Sequence, residues 1–147
     1  MEYRGYDSAG ISIIQNGNFN TIKSVGKIKN LKEKITENFT SNMAIAHTRW
    51  ATHGGVNETN AHPHISCKND IVLVHNGIIE NYKELKAELK EHEFKSETDT
   101  EVLAALVNSF YKDGKHPLVN AVVQALKLVK GTYGIAVVSV LEPNELV

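Results

Sequence analysis

The sequence has 147 residues, enough for one domain with its own hydrophobic core, and its 41% hydrophobic and 22% charged residues are ordinary for a globular protein. Its 17 acidic and 16 basic residues give a formal charge of −1, so the charge balance favours neither nucleic acid nor a membrane surface as a partner. The single cysteine, Cys67, excludes an internal disulfide. Because the apolar runs are too short to span a bilayer and no signal peptide is recognisable, we expect a cytoplasmic protein.

The first part of the chain predicts a β-hairpin followed by a helix. Two β-like runs, residues 11–14 and 19–25, flank Asn16-Gly17, the dipeptide that best suits a type I′ turn. Apolar residues at helical spacing then predict an amphipathic helix that packs on a sheet. These residues are Ile28, Leu31, Ile35 and Phe39.

Two short apolar runs, residues 43–46 and 71–74, predict buried strands, and each is followed directly by a histidine, His47 or His75. Between them, residues 48–68 contain glycine, asparagine and proline but show no apolar period. We therefore predict a long loop, which in a compact domain is usually functional.

Two capping signals predict helices in the second half of the chain. Asn81 and Glu84 have the spacing of a capping box, and Thr98 and Glu101 repeat it. The second of these helices is expected to bury its apolar residues, which are Val102, Leu103, Leu106, Val107 and Phe110.

A last helix and a final strand complete the predicted elements. Pro117 suits the first turn of the helix, which we expect to end near Gly131, and residues 133–141 predict the strand. The resulting order, β-β-α-β-β-α-α-α-β, favours an α+β fold with a largely antiparallel sheet covered by helices.

Three motifs set polar side chains next to predicted strands and helix starts. They are His47-Thr-Arg-Trp-Ala-Thr-His-Gly54, His75-Asn-Gly-Ile-Ile-Glu-Asn81 and Ser96-Glu-Thr-Asp-Thr100. Arg49 can bind a carboxylate through two parallel hydrogen bonds, and Asp99 can accept from an ammonium group. Asn76 and the Gly77 N–H can polarise a carbonyl group. These groups together predict a pocket for an amino acid, and the substrate they suggest is glutamine.

Each of these residues also has a simpler structural interpretation. Arg49 taken alone is more often a surface charge or part of a structural ion pair, and Asn76-Gly77 is more often a tight turn. Asp99 near a helix start can serve only the helix dipole. Trp50, the one tryptophan, is by default a packing residue. The position of Arg49, directly after a predicted strand and in a polar loop, favours the binding site.

Five histidines between residues 47 and 75 raise a further hypothesis, a metal-dependent hydrolase. They are His47, His53, His62, His64 and His75. Their spacing matches no common zinc motif, and Cys67 has no partner cysteine. We therefore expect no metal and no cofactor, and we interpret these histidines as structural or as supporting the site. Cys67 lies in a polar turn with no sign of activation, so we expect no chemical role for it.

Six segments, taken in order, resemble signatures of the class II glutamine amidotransferases and, within them, of the glutaminase domain of glutamine–fructose-6-phosphate aminotransferases. They are Glu2-Tyr-Arg-Gly-Tyr-Asp-Ser-Ala-Gly10, His47-Thr-Arg-Trp-Ala-Thr-His-Gly54, Asn60-Ala-His-Pro-His64, Val74-His-Asn-Gly-Ile-Ile-Glu-Asn81, Ser96-Glu-Thr-Asp-Thr-Glu-Val102 and Gly131-Thr-Tyr-Gly134. Amidophosphoribosyltransferases resemble the arginine and Asn-Gly segments but usually lack Trp-Ala-Thr-His and the Ile-Ile-Glu-Asn continuation.

The resemblance implies an N-terminal-nucleophile hydrolase fold, an αββα sandwich of two antiparallel sheets between helical layers. It also implies a role for each site residue. Arg49 would bind the carboxylate of glutamine, Asp99 would bind its ammonium group, and Asn76 with Gly77 would form the oxyanion hole. The supporting residues would be Thr52 and His53, which line the glutamine site, Trp50, which gates the path of ammonia, and Arg4, which lies near the nucleophile.

One departure from the family concerns the nucleophile, which in the family is an N-terminal cysteine. This sequence starts at Met1, inside the first family segment. We therefore expect residues 1–147 to form part of a type 2 glutamine amidotransferase domain, truncated at both ends. We expect this chain alone not to hydrolyse glutamine. The resemblance further implies a sugar-phosphate isomerase domain in the full-length protein, which would be a homo-oligomer.

The leading hypothesis is a glutamine amidotransferase that supplies ammonia for the conversion of fructose 6-phosphate to glucosamine 6-phosphate. One alternative is a non-catalytic glutamine-binding module. Another is a different class II amidotransferase, such as an amidophosphoribosyltransferase.

Overall fold

The computed structural model describes residues 7–36 and 38–147, so Arg4 and most of the first family segment lie outside the described residues. The elements, in chain order, are β1 (Ser8–Gln15), β2 (Asn18–Val25), α1 (Ile28–Lys34), β3 (Ala44–Arg49), β4 (His64–Ile65), β5 (Ile71–Ile79), α2 (Tyr82–Glu88), α3 (Asp99–Tyr111), α4 (Leu118–Leu126) and β6 (Gly131–Ser139).

The strands form two antiparallel sheets. The first sheet has the order β2-β1-β3 and the second has the order β4-β5-β6. β1 and β2 are the predicted hairpin, and the positive φ angles of Asn16 (53°) and Gly17 (73°) are those that a type I′ turn requires. The predicted α+β class with antiparallel pairing is confirmed.

The second sheet has an apolar layer on each face. Its outer face packs against α2, α3 and α4 through side chains that include Leu73, Leu103 and Leu118. Its inner face packs against the first sheet through Ile45 and Val74, among others. Because α1 packs against β1 and β2, the two sheets lie between helices.

Two predicted strands are longer than expected. β3 continues past His47 to Arg49, and β5 continues past His75 to Ile79. The expectation that Asn76-Gly77 follows the strand is therefore wrong, because the pair lies inside β5, opposite residues 133 and 134 of β6. Pairing with a distant strand here overrides the local turn preference of Asn-Gly.

Helices α1 and α4 are shorter than expected at their C-termini. α1 ends at Lys34, because Ile35 has extended backbone angles, and Phe39 lies beyond the helix. The β-branched residues Ile35 and Thr36 are weak helix formers, which is consistent with this early stop. The last predicted helix, α4, ends at Leu126 rather than near residue 131.

The two predicted capping boxes differ in the structure. The Thr98 hydroxyl accepts from the Glu101 N–H at 3.2 Å, as expected for the start of α3. Asn81 precedes α2 but makes no side-chain cap. Its side chain instead donates to the Leu128 carbonyl at 2.9 Å and accepts from the Lys130 N–H at 2.8 Å, so it connects the start of α2 to the segment before β6.

The long segment predicted as a loop is loop for most of its length, with the short strand β4 near its end. The longest described helix, α3, has 13 residues. Within residues 7–36 and 38–147, none of the helices combines the length and hydrophobicity of a membrane-spanning segment.

Candidate functional site

A cavity of about 350 Å³ lies where β3, β5, the start of α3 and the loop after β3 come together. Every predicted site residue within residues 7–36 and 38–147 lines this cavity. These residues are Arg49, Trp50, Thr52, His53, Asn76, Gly77 and Asp99. Arg4, the remaining predicted residue, lies outside the described residues.

Sheet stacking and a hydrogen bond between α3 and β5 explain why three distant segments meet here. Arg49 is the last residue of β3 in the first sheet, and Asn76 lies in β5 of the second sheet, which packs on it. Asp99 is the first residue of α3, and its Oδ2 accepts the backbone N–H of Ile79 at 2.9 Å. This bond fixes the start of α3 to the end of β5.

Arg49 is 4% exposed and shapes the loop that follows it. Its guanidinium donates to the carbonyls of His53, Gly54 (3.5 Å) and Gly55 (3.2 Å). Those contacts use Nη1 and Nη2, and a guanidinium has five N–H groups, so others remain for a ligand carboxylate.

The charges around Arg49 favour its cationic form. Burial lowers the pKa of Arg49, while the nearby carboxylates of Asp7, Asp99 and Glu97 raise it. An arginine retains its proton under such opposing influences because its ordinary pKa is so high. The cavity therefore contains a buried cation on the first sheet and a carboxylate, Asp99, at the start of α3.

Glu97 connects the loop after β3 to the segment before α3. Its Oε2 accepts the Gly55 N–H at 3.1 Å and the Asn60 side-chain N–H at 2.8 Å. The Glu97 N–H in turn donates to Asn60 Oδ1 at 3.0 Å. These donors hold the pKa of Glu97 below its usual value. The loop that carries Thr52 and His53 is thereby held close to Asp99.

Gly77 occupies a position that no other residue fits. Its φ angle is 135°, and a Cβ built on it would lie 1.9 Å from the Thr132 carbonyl oxygen. The β5 backbone thus lies directly against β6 while bordering the cavity. The sequence motif predicted a functional role for this glycine. In the structure, a glycine is also required here because the β5 and β6 backbones approach closely.

Uncharged histidines, buried or half-buried, form one wall of the cavity. His47, His62 and His75 line it. Burial lowers the pKa of all three, and for His62 it lowers the pKa well below the ordinary value. The Thr100 hydroxyl lies 3.1 Å from both His62 Nε2 and His75 Nδ1. This wall is polar but carries no charge at neutral pH.

Trp50 and His53 lie on the loop side of the cavity. Trp50 is 60% exposed, so the default interpretation of a buried packing residue is wrong for it. The His53 ring packs edge-on against the Tyr82 ring, with 5.2 Å between the ring centroids. Cys67 is exposed and does not line this cavity, and its Sγ lies 3.8 Å from Asn108 Oδ1.

The structure adds residues that sequence reasoning did not place in the site. Thr100 and Thr132 both line the cavity. Thr100 directly follows Asp99, and Thr132 lies in the segment Gly131-Thr-Tyr-Gly134, so both fall within family segments. The signal that identifies them is their position in those segments, because threonine alone is common in every part of a protein.

Comparison with known proteins supports the family assignment. A family model described as a glutamine amidotransferase domain matches residues 31–140. The glutamine–fructose-6-phosphate aminotransferase (isomerizing) of Clostridium acetobutylicum is 49% identical over 150 aligned residues, which cover 100% of this chain and 24% of the relative. The enzyme of the same name from Thermotoga maritima is 50% identical over 153 residues, with 100% and 24% covered. This chain thus spans about a quarter of the length of these relatives.

The fold is also shared with a solved structure, that of glutamine phosphoribosylpyrophosphate amidotransferase from B. subtilis. The two have a TM-score of 0.76 and 28% sequence identity, over 94% of this chain and 30% of the other. The expected N-terminal-nucleophile hydrolase fold is confirmed by this likeness. With a family model that matches most of its length and a fold held in common with a glutamine-dependent enzyme, the chain belongs to the glutamine amidotransferase domain family.

Proposed function

We propose that this chain is the glutamine-binding part of a glutamine–fructose-6-phosphate aminotransferase, which uses the amide nitrogen of glutamine to make glucosamine 6-phosphate from fructose 6-phosphate. The observation that carries this proposal is that Arg49, Asn76 and Asp99 line one cavity of about 350 Å³. The identities of 49% and 50% to relatives with that name support it over an amidophosphoribosyltransferase, for which the identity is 28%.

The charges of the cavity suit the two ends of a free amino acid. Arg49 binds the α-carboxylate through N–H groups that the loop carbonyls do not use. Oδ2 of Asp99 accepts the Ile79 N–H, and its Oδ1 accepts from the α-ammonium group. A cation and an anion set apart in this way select a zwitterion and fix its direction in the cavity.

The amide end of glutamine then lies against β5. The Asn76 carboxamide and the Gly77 N–H form an oxyanion hole, which stabilises the negative charge that develops on the amide oxygen during attack. Thr52 and His53 close the site from the loop. The exposed Trp50 gates the path of ammonia toward a sugar-phosphate isomerase domain. Arg4 supports the nucleophile.

We assign no role in the attack to Cys67. It is exposed and lies outside the cavity that contains Arg49 and Asp99. Residues 1–147 by themselves are therefore proposed to bind glutamine but not to hydrolyse it. Replacement of Cys67 by serine in the full-length gene product should leave glutamine hydrolysis unchanged, and loss of ammonia release in that variant would contradict this assignment.

Titration calorimetry with L-glutamine tests the binding site directly. Arg49→Ala should weaken binding by about 2–5 kcal/mol, because Asp99 and the ligand carboxylate then lose their buried cation. Lys32→Ala, an exposed cation of α1 remote from the cavity, is the matched control and should bind as the unmodified chain does. An Arg49→Ala chain with an unchanged Kd would remove Arg49 from the site.

Assays of the full-length gene product test the reaction. Glutamine and fructose 6-phosphate together should yield glucosamine 6-phosphate and glutamate. Formation of phosphoribosylamine from phosphoribosyl pyrophosphate would instead identify an amidophosphoribosyltransferase. Glutamine binding without turnover of any acceptor would identify a non-catalytic module. We also propose a cytoplasmic location and a homo-oligomeric full-length protein, which cell fractionation and light scattering test.

A further inference from the structure

A hydrogen bond between side chains joins the two sheets at the cavity. His47 Nε2 lies 2.8 Å from Asn76 Oδ1. His47 belongs to β3 and shares its face with Ile45, while Asn76 belongs to β5 and shares its face with Val74. Because Ile45 and Val74 pack together between the sheets, both partners of the bond lie on inner faces.

The position of the proton on His47 follows from this bond. An amide oxygen only accepts hydrogen bonds, so Nε2 must carry the proton and donate it to Asn76. Burial lowers the pKa of His47, so the ring is neutral and its Nδ1 carries no proton. With Oδ1 of Asn76 held by His47, the NH₂ group is the part of the carboxamide left to face a ligand.

The His47 ring is itself held in place by packing. It stacks on the His62 ring, with 4.4 Å between the centroids and 27° between the planes. The His75 backbone N–H donates to His62 Nδ1 at 3.4 Å, so the proton of the neutral His62 ring lies on Nε2 and is donated to Thr100 at 3.1 Å. The orientation of the His47 ring is thus fixed by the stacked His62 ring as well as by the bond to Asn76.

The surroundings of the other ring nitrogen of His47, Nδ1, indicate why this position is a histidine. Nδ1 is buried, and among residues 7–36 and 38–147 it has no hydrogen-bond partner. An unsatisfied buried acceptor is unfavourable for folding, so packing alone does not account for a histidine at this position. The useful contact of the ring is the one that Nε2 makes with the Asn76 carboxamide.

We propose that His47 is a positioning residue for the oxyanion hole, one that locks the Asn76 carboxamide in the orientation whose NH₂ group points at the substrate amide oxygen. This inference rests on the proposed function. A carboxamide free to rotate by a half turn would present its oxygen to the developing negative charge, which would repel it rather than stabilise it. His47 acts through Asn76 and does not touch the substrate in this role.

Kinetics of glutamine hydrolysis by the full-length gene product test the proposal. His47→Phe keeps a ring that stacks on His62 but removes the donor, so kcat should fall about 10- to 100-fold while KM stays within about 3-fold, since the contact matters most in the transition state. His47→Gln keeps an N–H in a similar place and should recover most of the lost kcat. His116→Phe, at an exposed histidine, is the matched control and should behave as wild type.

Nitrogen NMR of the 147-residue chain gives a second readout that does not depend on activity. The long-range ¹H–¹⁵N spectrum should show the His47 proton on Nε2, and a proton on Nδ1 would overturn the proposal. A wild-type kcat in His47→Phe, or a loss that His47→Gln fails to recover, would overturn it while leaving the proposed function intact. An inactive wild-type gene product would refute the proposed function and this inference together.

Discussion

The two layers that pack on either side of the second sheet differ in their side chains. Within residues 7–36 and 38–147, the outer layer, between the sheet and α2–α4, contains one cluster of fifteen buried apolar residues. Over the same part of the chain, the inner layer, between the two sheets, has a cluster of four buried apolar residues, and beyond it lie the buried polar side chains of Arg49, His62 and His64. The outer layer supplies most of the hydrophobic stabilisation, and the inner layer contains the site.

Along β5, the residues change from apolar to polar within a single strand. Its first four residues are apolar and buried, with Leu73 in the outer cluster and Val74 in the inner one. The next residues, from His75 to Gly77, are polar or glycine and line the cavity. The apolar start anchors the strand on both faces, and Ile79, which belongs to the outer cluster, anchors its end. The polar stretch between them is thereby held in place without an apolar core of its own.

The difference between the two layers predicts that the largest loss of stability comes from a substitution in the outer layer. Leu103 of α3 is 1% exposed within that cluster, and Leu103→Ala should lower the free energy of unfolding by about 2–5 kcal/mol through lost burial and a cavity. Urea denaturation measures this loss. Val123 of α4 is 48% exposed, so Val123→Ala is the control and should lower the free energy of unfolding far less. Equal losses in the two variants would show that the outer layer is not the main source of stability.

The inner layer predicts a dependence on pH that the outer layer lacks. Burial holds the pKa values of His62 and His64 well below the ordinary value. In the unfolded chain these rings titrate near pH 6.5, so at lower pH the unfolded state binds more protons and stability falls. Between pH 7 and pH 5.5 we expect a loss of about 1–3 kcal/mol, measured by urea denaturation at each pH.

Two variants sharpen this measurement. Leu103→Ala removes apolar area only, so its free energy of unfolding should follow a pH curve parallel to that of the unmodified chain. His116→Gln removes an exposed histidine and should leave the curve unchanged. A stability that does not change between pH 7 and pH 5.5 would mean that the inner-layer histidines accept protons freely in the folded state.

The sequence indicated residues that line the cavity and the start of β5, but not the continuation of that strand through Asn76-Gly77. Arg49, Asn76 and Asp99 stand in specific motifs, and residue type alone indicates what each can bind. The course of β5 through Asn76-Gly77 depends on pairing with β6, more than fifty residues later in the chain. Local patterns carry no information on such a partner, so they favour a turn there.

The fold was predictable to a similar degree. The hairpin of β1 and β2 depends on the local dipeptide Asn16-Gly17 and was expected from it. The division into two stacked sheets was implied by the family resemblance, whereas the hydrophobic pattern gave only a single antiparallel sheet. Side-chain bonds between distant segments were not predictable, as the contact of Asn81 with Leu128 and Lys130 illustrates.

The smallest predicted effect concerns Thr98, the helix cap that the sequence identified correctly. Its hydroxyl accepts from the Glu101 N–H and lies 3.1 Å from His64 Nε2, so one oxygen serves both α3 and the histidines of the inner layer. Thr98→Val keeps the shape and removes these bonds together with the 2.9 Å contact to the Ser96 hydroxyl, and should cost about 1–2 kcal/mol of unfolding free energy. Thr36→Val, at an exposed position, is the control. Because the lost His64 contact belongs to the inner layer, part of the loss should depend on pH, and a loss that is the same at pH 7 and pH 5.5 would assign Thr98 to α3 alone.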